Sequence, residues 1–139
     1  MTLSQKVIRK WLLPFVLCFS MVIVFFPQSK ADAASLVREP SRVYLPTNDD
    51  YVESGWQYLN PGAKLGIYVD RQPSAHDLPI YWKVIATNGQ VVAENWLWTN
   101  DPVVNMRINA PVGTYKMTIG CGFHYEYDCK ASGILSVWK

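Results

Sequence analysis

The chain has 139 residues, half of them hydrophobic, and this length corresponds to about one folded domain. It contains 13 Lys and Arg residues against 11 Asp and Glu residues. The first 33 residues hold four of the basic side chains and one acidic one, so the other 106 carry a net charge of −1. Without a basic cluster in that remainder, the composition argues against a nucleic-acid or anionic-membrane partner.

Residues 1–33 have the pattern of a cleavable secretory signal peptide. Three basic side chains open the segment, an apolar run of 16 residues follows at 11–26, and small residues end it at Ala31 and Ala33. As a helix this run would be roughly 24 Å long, and a bilayer span needs about 20 residues. We therefore expect cleavage after Ala33, a secreted extracellular protein and no membrane attachment after cleavage. The alternative is an uncleaved N-terminal anchor.

Two cysteines, Cys121 and Cys129, remain after this segment, since Cys18 lies within it. In an oxidising compartment an even number of cysteines predicts a disulfide. A disulfide between them would close a ring of nine residues. In the loop-entropy estimate, such a ring stabilises a fold by about 2–3 kcal/mol. Two cysteines cannot form a four-thiolate zinc site, and the two histidines lack metal-ligand spacing. We therefore expect no metal site and no cofactor.

The rest of the chain alternates short β-branched and aromatic runs with turn signals, and shows no helical periodicity. Residues 34–41 are expected to form a flexible N-terminal tail, and 42–139 the folded domain. Residues 46–59, with Trp56 and Tyr58, form either a further strand or a packed loop. Alternating apolar and polar positions predict an all-β, antiparallel two-sheet sandwich. Its seven predicted strands are 42–45, 63–70, 79–87, 90–99, 102–109, 114–121 and 133–138.

The strongest local signal is Asn88-Gly89 between two strand-like runs, which predicts a hairpin with a two-residue type I′ turn. The turn sets the register of the whole hairpin. It places Tyr81 opposite Trp96 and Lys83 opposite Glu94 on a solvent-facing side. The other side is almost wholly apolar and is predicted to face the core.

Three segments resemble immunoglobulin-like and fibronectin-type-III-like sandwiches of small secreted bacterial proteins. Residues 60–65 resemble the turn that enters their second strand, and Trp82 lies where such domains often bury a tryptophan. Gly113-Thr114-Tyr115 resembles the strand start that carries their corner tyrosine. The resemblance covers residues 42–138 and implies an immunoglobulin-like fold, but no activity.

Two aromatic clusters are candidate binding sites. The solvent-facing side of the hairpin carries rings that stack on sugars or anchor a protein partner, namely Tyr81, Trp96 and Trp98. The alternative is that residues 46–59 cover them. A loop closed by the predicted disulfide is pre-ordered for recognition. It carries Phe123, His124, Tyr125 and Tyr127. The alternative is a disulfide-closed turn whose aromatic rings pack on the end of the sandwich.

Catalytic signals are weak. His124 lies near Glu126 and Asp128 in sequence, a pattern compatible with a proton shuttle, but no nucleophile motif or phosphate loop accompanies it. We expect a monomeric, non-enzymatic, secreted protein that attaches to an extracellular glycan, cell-wall polymer or surface through exposed aromatics. The alternative is a secreted effector, an inhibitor or antagonistic toxin, that acts on a protein target through loop 121–129.

Overall fold

Nine β-strands are present in residues 34–139, the part of the chain that the computed structural model describes. The predicted signal peptide lies outside the described residues. Within residues 34–139 no helix is long and apolar enough to cross a membrane. In chain order the strands are β1 (Ser41–Leu45), β2 (Tyr51–Glu53), β3 (Gln57–Leu59), β4 (Lys64–Arg71), β5 (Ile80–Ala86), β6 (Val91–Leu97), β7 (Val103–Ile108), β8 (Gly113–Cys121) and β9 (Ala131–Trp138).

The strands form two antiparallel sheets that pack as a sandwich. The first sheet has the order β1-β9-β4-β7, and the second has the order β2-β8-β5-β6, with β3 also paired to β8. The predicted all-β, two-sheet sandwich is therefore confirmed, with nine strands in place of about seven. The two additional strands, β2 and β3, come from residues 46–59 and extend the second sheet beyond β8.

The last two strands lie in different sheets. β8 pairs with β5 in the second sheet, whereas β9 lies between β1 and β4 in the first. In immunoglobulin constant domains the last two strands are in the same sheet. The resemblance to those domains therefore accounts for local features of this chain and not for its strand order.

The core is built from the inward side chains of both sheets. Successive side chains of a strand point to opposite faces, and Leu65, Ile67 and Val69 of β4 are at most 1% exposed, as their alternation predicts. Trp82 of β5 is also 1% exposed. Met106 of β7 pairs with the buried Ile67 but is itself 41% exposed, because β7 is an edge strand with a neighbour on one side only.

Residues 35–37 pair with the end of β9. The Val37 N–H donates to the Val137 carbonyl at 2.8 Å. Ser35 and Lys139 exchange two backbone hydrogen bonds of 2.9 and 3.0 Å. The segment predicted as a flexible tail is thus held by the β9 backbone at these residues.

The β5–β6 hairpin has the predicted register over most of its length, but a different turn. Five consecutive pairs, which end at Val84 and Ala93, match the prediction. Only Gly89 in the turn has a positive φ, 84°, and its N–H donates to the Ala86 carbonyl at 2.9 Å. This geometry is a type I turn followed by a left-handed glycine, not a type I′ turn. The longer loop shifts the pairing by one residue, and a bulge next to Val84 restores it.

Tyr115 forms the corner that the resemblance implied for residues 113–115. Its ring is 2% exposed, and its hydroxyl donates to the Pro111 carbonyl at 2.5 Å. The bond ties the start of β8 to the preceding turn.

We expect Tyr115→Phe to lower the free energy of unfolding by about 1–2 kcal/mol, because the partly buried Pro111 carbonyl loses its donor. Urea denaturation measures the change. Tyr68→Phe is a matched control on β4, and its midpoint should stay close to that of the parent protein. Equal midpoints for the two variants would show that the corner bond contributes nothing.

Candidate functional site

The outer face of the second sheet carries a row of side-chain positions that crosses four strands. Strand pairing places Tyr51 of β2 beside Gly120 of β8, Gly120 beside Tyr81 of β5, and Tyr81 beside Trp96 of β6. Neighbouring strands are about 4.8 Å apart, so the row is roughly 14 Å long. Three of its four positions are aromatic.

The glycine in this row is covered by a ring from the following loop. A Cβ atom at Gly120 would lie 3.0 Å from the Tyr125 ring. The Tyr125 ring also packs edge-on against Tyr51, with centroids 5.7 Å apart and an interplanar angle of 88°. Tyr125 has a φ of 54°, a left-handed conformation that costs a non-glycine residue about 1–2 kcal/mol. The rest of the loop must therefore hold Tyr125 in this position.

Phe123, from the same loop, extends the other end of the row. Its ring centroid is 4.9 Å from that of Trp96 and 5.9 Å from that of Trp98. Tyr81 and Trp96 are in turn 4.8 Å apart. The two predicted aromatic clusters therefore form one surface. We call it the aromatic strip, and it comprises Tyr51, Tyr125, Tyr81, Trp96, Phe123 and Trp98.

Residues 46–59 do not cover the strip. They form β2 and β3 at the β8 edge of the sheet, where Tyr51 lengthens the strip instead of hiding it. Phe123 is 58% exposed, Tyr125 49% and Trp98 45%, and Tyr81 and Trp96 are half-buried. Contiguous exposed apolar surface of this kind marks interaction sites in soluble proteins.

The loop between Cys121 and Cys129 is anchored at its base. The predicted disulfide is formed, with the two Cα atoms 5.5 Å apart. The Glu126 N–H donates to the Cys121 carbonyl at 2.8 Å and closes a turn inside the ring. Three further N–H groups donate to carbonyls of adjacent segments, from Cys121 to Asp50, from Gly122 to Pro79 and from Asp128 to Thr47. The loop rings are therefore presented in a largely pre-ordered form, which lowers the entropic cost of binding.

His124 and Tyr127, also predicted as binding residues, lie outside the strip. Both side chains are exposed, Tyr127 by 59%. Within residues 34–139 neither belongs to an aromatic pair. The structure thus brings together five of the seven predicted residues and leaves these two elsewhere on the loop.

Two carboxylates border the strip. The Tyr51 hydroxyl donates to Glu53, and the Tyr81 hydroxyl donates to Glu94. The Lys116 ammonium, 2.5 Å from Glu53, holds the pKa of that carboxyl below its usual range. Burial, together with the hydrogen bond to Glu94, raises the pKa of Tyr81 to about 12. Ionised carboxylates accept hydrogen bonds, so polar acceptors lie directly beside the aromatic rings.

We expect Glu94→Gln to lower the pKa of Tyr81 toward, but not down to, its ordinary value of about 10, because burial persists when the charge is removed. The folded-state pKa is the higher one, so the contribution of Tyr81 to stability is complete below about pH 10 and is lost as the pH rises through 12. NMR of the labelled tyrosine rings follows the titration. Glu53→Gln should leave Tyr81 unchanged, and an unchanged Tyr81 in Glu94→Gln would contradict the assignment.

Three residues of this site were not predicted from the sequence: Tyr51, Glu53 and Gly120. β2 is only three residues long, too short to show an alternating pattern. Gly120 matters because Tyr125 folds back over it, which no local sequence signal indicates. In the described part of the chain, no group of three His, Cys, Asp or Glu side chains is placed to hold a metal ion.

Comparison with known proteins leaves the family open. No protein-family model and no curated protein matches the chain. Among solved structures the chain is similar to the infectious bursal disease virus VP2 subviral particle, at 16% identity and a TM-score of 0.32. The match covers 75% of this chain and 33% of the viral one, so the chain spans about a third of that protein. A likeness at this level carries no argument about function.

Proposed function

We propose that the protein is a secreted, non-enzymatic binding module that attaches to an extracellular glycan or cell-wall polymer through the aromatic strip. One observation carries the proposal: the strip joins rings from β2, β5, β6 and the stapled loop into one exposed surface bordered by carboxylates. The disulfide supports export, because such bonds persist mainly in oxidising compartments. The buried Trp82 and the corner formed by Tyr115 support a local likeness to immunoglobulin-like sandwiches, from which the chain differs in the placement of its last two strands.

The chemistry of the strip suits sugars. Aromatic rings present flat apolar faces against which the C–H groups of a sugar ring pack, while Tyr81 and Glu94 offer a hydroxyl and a carboxylate to sugar hydroxyls. The length of the strip allows several rings to contact one chain. An apolar surface with polar groups placed along its border is typical of ligand-binding sites.

The rings of the strip are not coplanar. Successive ring pairs from Tyr81 to Trp98 are tilted by 37°, 38° and 52°. A flat crystalline polysaccharide contacts coplanar rings best, whereas a single flexible chain can adapt to rings that are tilted relative to one another. We therefore expect a preference for amorphous or soluble glycan chains over crystalline surfaces.

Retention of the oxidised protein on a panel of polymers tests the proposal. The panel contains purified cell wall, peptidoglycan, and the amorphous and crystalline forms of cellulose and of chitin. We expect retention on at least one polymer, and stronger retention on the amorphous member of a pair. Absence of retention on every polymer would overturn the glycan proposal.

A second candidate function is that of an effector that inhibits or damages a protein target through loop 121–129. The observation that favours it is Tyr127, which is 59% exposed on a pre-ordered loop and lies outside the strip. Tyr127→Ala should abolish capture of a protein target and leave glycan retention intact. If Tyr127→Ala lost glycan retention but captured a protein target as well as the parent protein does, the effector function would be excluded.

A further inference from the structure

The first sheet, on the opposite side of the sandwich, has a groove on its outer face. This concavity of about 400 Å³ lies over Gly66 of β4. Arg42 of β1 and Arg107 of β7 come from the two edge strands of the sheet and approach the groove from opposite sides. Among the residues that line it there is no Asp or Glu, so its charged groups are both cationic.

Trp138 is fixed in the floor of this groove. Its indole N–H donates to the Ser136 hydroxyl at 2.8 Å, and that hydroxyl donates to the Gly66 carbonyl at 3.2 Å. A Cβ atom at Gly66 would lie 2.4 Å from both the Ser136 oxygen and the indole nitrogen. Only glycine therefore allows the tryptophan to lie across β4 at this point.

The fixed indole orders one of the two arginines. The guanidinium carbon of Arg107 is 4.1 Å from the centre of the Trp138 ring, a cation–π contact. Such stacking uses the face of the guanidinium and leaves its N–H donors free. Within residues 34–139 neither Arg42 nor Arg107 takes part in a salt bridge.

We propose that this groove is a second binding site, which takes a small organic anion and holds its phosphate or carboxylate group between Arg42 and Arg107. Guanidinium groups bind such oxyanions through paired hydrogen bonds, and a pre-ordered arginine loses less entropy on binding. Leu36, 42% exposed at the border of the groove, provides a contact for the apolar part of the ligand. The site is independent of the aromatic strip.

NMR of the Trp138 indole N–H tests the site in the oxidised protein. The probes are phenyl phosphate, benzoate and the neutral benzyl alcohol. We expect a saturable shift of the Trp138 signal with at least one anion and none with the alcohol. Arg42→Gln and Arg107→Gln should each weaken binding at least tenfold. Arg38→Gln also removes one positive charge, but this charge lies over Tyr58, outside the groove. This variant should change the affinity for the anion less than twofold.

The two anions distinguish the sources of the oxyanion. Saturation by phenyl phosphate alone assigns a phosphate, saturation by benzoate alone assigns a carboxylate, and either result supports the site. The proposal is overturned if neither anion shifts Trp138, if benzyl alcohol shifts it equally, or if Arg38→Gln weakens binding as much as Arg107→Gln. Trp96→Ala should leave this binding unchanged, so the outcome does not depend on the glycan proposal.

Discussion

Replacing Trp96 by alanine is expected to weaken glycan retention about 30-fold or more. Trp96 lies inside the strip, with Tyr81 4.8 Å away on one side and Phe123 4.9 Å away on the other. Central tryptophans of binding surfaces commonly contribute about 2 kcal/mol or more, which corresponds to roughly 30-fold in affinity. Phe123→Ala should weaken retention by a similar factor, because its ring joins Trp96 to Trp98.

Tyr44→Ala is the matched control for these two variants. Tyr44 is a 48% exposed aromatic residue of β1, in the other sheet, and its loss should leave retention unchanged. The Trp96 and Phe123 effects should also be non-additive in the double variant, because the two rings are in contact. If Trp96→Ala abolished retention while Phe123→Ala preserved it, the hairpin face and the loop would be separate sites after all.

Removing the disulfide is expected to lower the stability more than Tyr115→Phe does. Replacing Cys121 and Cys129 by serine opens a nine-residue ring, and the loop-entropy estimate for such a ring is about 2–3 kcal/mol. For a domain of this size the melting temperature should fall by roughly 10–20 °C. Thermal unfolding followed by circular dichroism measures the change, and a melting temperature equal to that of the parent would contradict the estimate.

The same change should weaken glycan retention at temperatures where the variant is still folded. Opening the ring releases the loop that holds Phe123 against Trp96 and Tyr125 over Gly120 in a left-handed conformation. Binding must then reorder the aromatic side chains of Phe123 and Tyr125, at a cost of about 0.5–1.5 kcal/mol for each side chain. A reductant should weaken glycan retention by the parent protein in the same way and should have no effect on retention by the double-serine variant. Full retention by the reduced parent would show that the ring is only structural.

The predictions that the structure confirms rest on local signals. The sandwich follows from alternating apolar positions such as Leu65, Ile67 and Val69, and the disulfide follows from two remaining cysteines. The hairpin shows how a local signal can succeed for an incomplete reason. The turn at Gly89 is one residue longer than predicted, and the bulge next to Val84 compensates for it, so the outer pairs keep the expected register.

The features that were not predicted depend on long-range pairing. Nothing in the sequence of β9 indicates that it lies between β1 and β4 instead of beside β8. The union of the two aromatic clusters likewise requires the loop after β8 to fold back over Gly120 and toward β6. Tyr51 joins the strip only because β2 pairs with β8, across 69 positions of sequence between Tyr51 and Gly120.

The central claim is that the strip acts as one glycan-binding surface, and NMR of the tryptophan indole N–H signals tests it most directly. Soluble oligosaccharides are released from a polymer that retains the protein, and are titrated into the oxidised protein. The signals of Trp96 and Trp98 should shift and saturate together, while the buried Trp82 and the distant Trp138 stay in place. Binding with unshifted Trp96 and Trp98 signals would place the ligand elsewhere and contradict the claim.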